Sequence, residues 1–235
     1  AFLNGVQKAW IYTHMIVPCL TWELTIYELP ISFIESLDAE ITKYLKKWLG
    51  VARCADTSIL YRSKQHFGLH LPNISTCFKK AQTGREHKMK HSKDKNIRML
   101  HIDKSKKEDK TTRWSSCKEL QTVERAIILD EMSFSGQTTR QGIGYTITKK
   151  LTPREKISKK IEEFDEAKRF EHAVQLGMQG SWTQWDNLMN NDTSWQSLLY
   201  SYSPSLLKFA LNATQLTLPT PDNLVRWSKA RLGKC

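Results

Sequence analysis

Ser32-Phe33-Ile34-Glu35-Ser36-Leu37-Asp38-Ala39-Glu40-Ile41-Thr42-Lys43-Tyr44-Leu45-Lys46-Lys47-Trp48-Leu49-Gly50 decides the fold class. Ser32 and Glu35 have the spacing of a capping box, in which hydroxyl and carboxylate each take an orphan backbone donor of a first helical turn. Ile34, Leu37, Ile41, Tyr44 or Leu45, and Trp48 then recur in steps of three and four, one stripe of a helix, and Gly50 suits the turn that ends it. Lys43, Lys46 and Lys47 fall off that stripe. The last two stand near the C-terminal turn, where a cation meets the negative end of the helix dipole.

Working outward, Val6, Trp10, Thr13, Val17, Leu20, Leu24 and Tyr27 predict a helix from about Gly5 to Glu28. Pro18 lies inside it, and its ring crowds the carbonyl of His14, so a kink is expected there. Downstream of Gly50 come a short apolar run, Ser58-Ile59-Leu60-Tyr61, a Gly68 turn, and a third helical pattern from Ile74 through Cys77, Phe78 and Ala81. A fourth follows in Trp114, Cys117, Leu120, Val123 and Ile127. The Ser133–Gly144 stretch reads as a loop. Thr152-Pro153-Arg154-Glu155 combines an N-cap, a proline at the first helical position and a second capping box, and opens a long helix to about Val174. Shorter helical patterns follow around Trp182–Met189, Ser194–Tyr200, Pro204–Leu211 and Pro221–Ala230. No strand alternation and no repeat is visible, so the expected class is mainly α. The expected division is a helical domain over 1–101, a basic linker with one helix and a loop over 102–152, and a second small helical domain over 153–235.

The chain has 235 residues, 40% of them apolar, enough for a core, and a net charge of +12. Residues 79–113 carry 13 Lys/Arg against 5 Asp/Glu, so +8 of that charge sits in one segment. Such a field attracts phosphate by releasing counterions. For 79–98 the helix-compatible spacing suits a binding face, while 102–112, almost without apolar residues, reads as a solvated, partly disordered linker. Five cysteines with no Cys-x-x-Cys pair exclude a complete disulfide framework and a self-contained four-cysteine zinc site. The apolar run 9–20 is broken by His14 and Pro18 and carries no signal-peptide features, so no membrane span or leader is expected. The expected setting is reducing and intracellular.

Few motifs carry chemistry. His66 and His70, like His87 and His91, are spaced i, i+4 and can share a helix face, but no third ligand stands at a convincing spacing, and lysines flank the second pair. Gly142-x-Gly144 lacks a third glycine and a preceding strand. Asp130-Glu131 sits at a helix end and Pro221-Asp222 opens a helix, so neither reads as a two-metal carboxylate cluster. Asn73-Ile74-Ser75, Asn191-Asp192-Thr193 and Asn212-Ala213-Thr214 match the glycosylation tripeptide but read as helix-start polar clusters. Trp182, Trp185, Trp195 and Trp227 read as the core of a small domain rather than as base-stacking platforms.

Trp10-Ile11-Tyr12-Thr13-His14-Met15-Ile16-Val17-Pro18, Leu37-Asp38, Lys43 to Gly50, Ile59-Leu60-Tyr61 and Phe67-Gly68-Leu69 resemble the segment after the palm in reverse transcriptases of non-long-terminal-repeat retrotransposons. In that family it forms the thumb, a helical subdomain that grips the template–primer duplex. Gly180 to Trp185 and Leu218 to Trp227 are similar to the linker that leads, in the same polyproteins, into a zinc knuckle and an endonuclease. The resemblance implies that the catalytic aspartates, with their Mg, lie upstream of Ala1, and that Cys235 stands at the place of the first knuckle cysteine. No catalytic residue or cofactor then falls in this chain. The implied partners are an RNA or RNA–DNA duplex and the missing palm and endonuclease domains. The implied compartment is intracellular, the nucleus included. Lys43, Lys46 and Lys47 are the expected phosphate contacts, followed by Arg53, Arg62 and Lys64, with Lys79 and Lys80 opening the basic segment. The rival expectation is a helical protein–protein module that docks a partner through Ile157, Ile161 and Phe164.

Overall fold

The computed structural model of the chain describes residues 3–63, 68–108, 113–135, 151–185 and 199–229; at 107, 108, 133–135, 182, 184 and 185 it describes the backbone alone. All regular elements among the described residues are helical. They are α1 (Gly5–Ile11), a π-turn (Tyr12–Ile16), α2 (Val17–Ile26), α3 (Ile31–Leu49), α4 (Ser58–Tyr61), α5 (Ile74–Lys90), α6 (Lys95–Glu108), α7 (Ser116–Ser135), α8 (Pro153–Gln175), a 3-10 stretch (Met178–Trp185), α9 (Pro204–Thr214) and α10 (Pro221–Arg226). No helix among the described residues is long and apolar enough to cross a membrane.

The chain forms two compact units, each discontinuous in sequence. Unit 1 takes Ala1–Pro18, Ser36–Asn73 and Glu166–Cys235, and unit 2 takes Cys19–Glu35 and Ile74–Asp165. This differs from the expected consecutive division, because α3 and α8 each supply residues to both units.

Where a proline kink was expected, the helix carries a π-turn. Val17 N–H donates to Tyr12 O, five residues back, and Pro18, which has no N–H to give, follows directly. A wider turn at this point relieves the crowding between the proline ring and the preceding carbonyls. It also moves the stripe, so that Tyr12 and Val17, five apart, are both buried, while Trp10 and Tyr27 are exposed. Tyr12 uses its burial to donate from Oη to Pro72 O at 2.7 Å. Trp10 instead stacks on His14 with centroids 4.6 Å apart.

α3 begins at Ile31, with Pro30 O accepting from Phe33 and Ile34, so Ser32 falls inside the first turn rather than at the cap. Its end is as expected. Gly50 adopts φ 68° and Val51 N–H reaches back to Lys46 O at 2.9 Å, a Schellman closure that only glycine enters without a Cβ penalty. Asn212 of α9 seals that turn, accepting from Ala52 N–H and donating to Gly50 O, both at 2.9 Å.

Unit 2 is built on α5, α6, α7 and the first part of α8. Leu120 and Val123 of α7 pack with Ile157 and Ile161 of α8 in a buried cluster flanked by Ile127 and Phe164. The capping box at the start of α8 is present, with Thr152 N–H donating to Glu155 Oε2 at 2.7 Å and Glu155 N–H to Thr152 Oγ1 at 3.3 Å. Residues 102–108, read from composition as linker, belong to α6. Asp94 caps that helix by accepting from Asn96 N–H at 2.8 Å. The Gln82 amide donates to Leu24 O and Tyr27 O, and Arg85 donates to Ile26 O, so α5 side chains close the carbonyl end of α2.

Candidate nucleic-acid interface

The expected phosphate contacts of unit 1 separate into exposed and structural cations. Lys43 is exposed and pairs with Glu40 at 2.7 Å, one turn back. Lys47 and Arg53 are exposed. Lys46 is half-buried and bends onto the loop after its own helix, donating to Ala55 O and, at 3.2 Å, to Arg53 O. Burial lowers its ammonium pKa, against the pull of Asp56 and Cys54. Arg62 is only 1% exposed. Its Nε lies 3.1 Å from Glu166 Oε1, and its guanidinium carbon stands 5.2 Å from the Phe170 ring centroid. A buried guanidinium held by a partly buried carboxylate and an aromatic face has no surface left for a phosphate, so Arg62 is a core cation. The fit around it is close. A Cβ on Gly68 would fall 1.9 Å from Arg62 O, and His70 N–H donates to that same oxygen at 3.0 Å. Lys64 lies outside the described residues, as do His66, Asn191, Trp195 and Cys235, most of the expected 133–144 loop, and the side chains of Trp182 and Trp185.

In unit 2 the opening lysines of the basic segment are also structural. Lys79 pairs with Asp165 at 2.8 Å, where Thr76 Oγ1 donates as well, and Lys80 pairs with Glu162. Both acids lie on α8, so these two lysines fasten α5 to α8. Farther along, Lys88, Lys93, Lys95, Arg98 and Lys106 are exposed. A groove of about 600 Å³ is lined by four cations, Lys90, Lys95, Arg98 and Lys106, together with apolar Met99, Ile102, Cys117 and Leu120. Lys95, Arg98, Ile102 and Lys106 follow one face of α6 over about 16 Å. A duplex presents about ten phosphate charges in that length.

α6 has almost no buried apolar side chain to anchor it, and Glu86 of α5 explains how it is held. The carboxylate is wholly buried and gathers Lys104 at 2.5 Å, His101 at 3.1 Å, Ser116 Oγ at 3.3 Å and Cys117 Sγ at 3.6 Å. Burial alone would raise its pKa. The hydrogen bonds from Lys104 and His101, with the Arg85 charge beside it, outweigh that and hold it below 4.5. Lys104 also reaches Glu28 at 2.7 Å. One carboxylate thus joins α5, α6 and the start of α7.

Two side-chain groups have the makings of a metal site among the described residues: Glu86 with His101 and Cys117, and His87 with His91 and Glu124. In the first, every oxygen of the carboxylate is already engaged by a protonated donor. The second is less satisfied, and its third member is the one that spacing along the chain did not supply: Glu124 comes from α7. Asp130 and Glu131 are matched to Lys160 and Lys156 of α8, each at 2.6 Å. Asn73 directly precedes α5, a helix start as expected, and its Nδ2 donates to Asp38 at 2.6 Å, whereas Asn212 lies in the last turn of α9 and is buried in the α3 closure. Ile157 and Ile161, through which the rival module would dock a partner, are buried against α7. Glu86 and Glu124 carry no signal in the sequence, since each is one glutamate within a charged helix. No protein-family model, curated protein or solved structure matches this chain.

Proposed function

We propose that this chain grips the sugar–phosphate backbone of a template–primer duplex, RNA or RNA–DNA, as the thumb-and-linker region of a non-long-terminal-repeat retrotransposon reverse transcriptase. The observation that carries the reading is the α6 face, where Lys95, Arg98 and Lys106, with Lys90 of α5, line a groove in the most basic segment of the chain. Lys43, Lys47 and Arg53, exposed in unit 1, supply further cations to the same kind of ligand. Contacts of this sort fix position and orientation on a duplex and leave sequence to base pairing.

Fluorescence anisotropy with a labelled RNA–DNA duplex tests it. Seven phosphate contacts give a slope of log affinity against log salt of about −6. The triple variant Lys95→Ala, Arg98→Ala, Lys106→Ala should bring that slope nearer zero by almost three, about 0.9 for each contact. A slope unmoved by the triple variant removes α6 from the interface, and failure to retain duplex at physiological salt removes the nucleic-acid role.

A further inference from the structure

His87 and His91 stand one turn apart on α5, their ring centroids 4.3 Å from each other. Glu124 meets them from α7, and the three side chains offer ligand atoms that all lie within 4.8 Å of one another. Each nitrogen has a distinct state. His91 Nδ1 is 3.0 Å from His87 O, an acceptor only, so Nδ1 is the donor and Nε2 is the nitrogen left for a metal. His87 Nδ1 is buried and has no hydrogen-bond partner among the described residues. The nearest carboxylate oxygen, Glu124 Oε1, is 3.6 Å away.

That separation is long for a hydrogen bond and close to the edge of a coordination tetrahedron. Two ligands at zinc bond lengths of about 2.0–2.1 Å stand roughly 3.3 Å apart. We infer that His87, His91 and Glu124 bind Zn²⁺ through two imidazole nitrogens and one carboxylate oxygen, with solvent at the fourth position. Burial, then the neighbouring His91, lowers the His87 pKa from 6.5, which favours the neutral imidazole that metal binding requires. The opposing influence is also in place, since Lys90 Nζ lies 2.5 Å from Glu124 Oε2 and competes for the carboxylate. A third ligand from a second helix makes the ion a clasp between α5 and α7. Two histidines, a glutamate and one open position also form the ligand set of hydrolytic zinc sites. The inference is independent of the nucleic-acid reading.

The test is titration of the full chain with ZnCl₂ against a chromophoric chelator, with Co²⁺ as an absorbing substitute. One equivalent should bind, and its affinity should fall at least tenfold in His91→Ala and in Glu124→Gln. Removal of even a supporting residue of a zinc site typically costs 10–100-fold. Lys90→Met should tighten binding by freeing Glu124, a change of sign that loss of packing cannot produce. His91 is exposed, and circular dichroism shows whether its alanine variant keeps the helices. His66→Ala with His70→Ala, the other i, i+4 pair, should leave the affinity unchanged. No uptake of zinc, or uptake that survives His91→Ala and Glu124→Gln, overturns the site.

Discussion

Lys104 Nζ of α6 stands 2.5 Å from Glu86 Oε1 of α5, and that carboxylate is wholly out of solvent. A buried carboxylate tolerates its surroundings only while its donors are present, so removing one partner costs more than the pair contributes. Lys104→Met should destabilise the protein by about 3 kcal/mol in urea unfolding. Glu86→Gln with Lys104→Met together should cost clearly less than the two single losses added, because the uncompensated charge is gone. Strict additivity would mean that the two side chains do not depend on each other.

Glu28 sets an acid limit on the same network. The hydrogen bond from Lys104, assisted by the Arg85 charge, lowers its pKa from 4.5 in the folded chain. A carboxyl lowered on folding contributes stability that is complete above its unfolded pKa and is lost as pH falls through the folded one. The melting-temperature gap between wild type and Glu28→Gln should therefore be present at pH 7 and close as the pH drops below about 4. A gap that widens in acid would reverse the assigned sign.

Arg62 was expected to touch phosphate and instead supports the core between Glu166 and Phe170. Arg62→Ala should cost about 3 kcal/mol, the low end for breaking a buried ion pair, since Glu166 stays partly solvated. Measured at a temperature where the variant stays folded, the salt slope of duplex binding should not change. A shallower slope with unaltered stability would return Arg62 to the interface.

Lys46 and Lys47 are adjacent in sequence and separable by experiment. Lys46 closes the loop after α3 through backbone carbonyls, so Lys46→Ala should lower stability by about 1–3 kcal/mol and leave the salt slope alone. Lys47 is exposed, so Lys47→Ala should bring the slope toward zero by about 0.9 and leave the melting temperature unchanged. The opposite pattern would exchange their roles.

What could be read from the chain follows from which forces leave periodic marks. The apolar stripe and glycine end of α3, the capping box at Thr152, and the helical patterns that open at Pro204 and Pro221 are local, and each is present. α6 was missed because charge holds it. Ile97, Met99, Leu100 and Ile102 all remain exposed, while Lys104 and His101 reach a glutamate on another helix, and nothing periodic records that. The stripe of α1 and α2 was assigned to the wrong faces near Trp10, because counting by 3.6 has no allowance for one wider turn. Composition places the basic residues by segment, but only partners distant in sequence decide which of them stay available. Asp165 takes Lys79 and Glu166 takes Arg62, roughly a hundred positions away or nearly so, while Lys95 and Arg98 remain at the surface.

The interleaving of the two units carries a temporal consequence for biosynthesis. Ala1–Pro18 and Ser36–Asn73 leave the ribosome well before Glu166–Cys235, the third stretch of their own unit. At about 5–20 residues per second, Arg62 waits roughly 5–20 s for Glu166 to be made. Throughout that interval an arginine destined for the interior has only water, or a chaperone, for company. Unit 2 lies almost wholly in the intervening stretch and is complete first, so the first two stretches of unit 1 are among the last to settle.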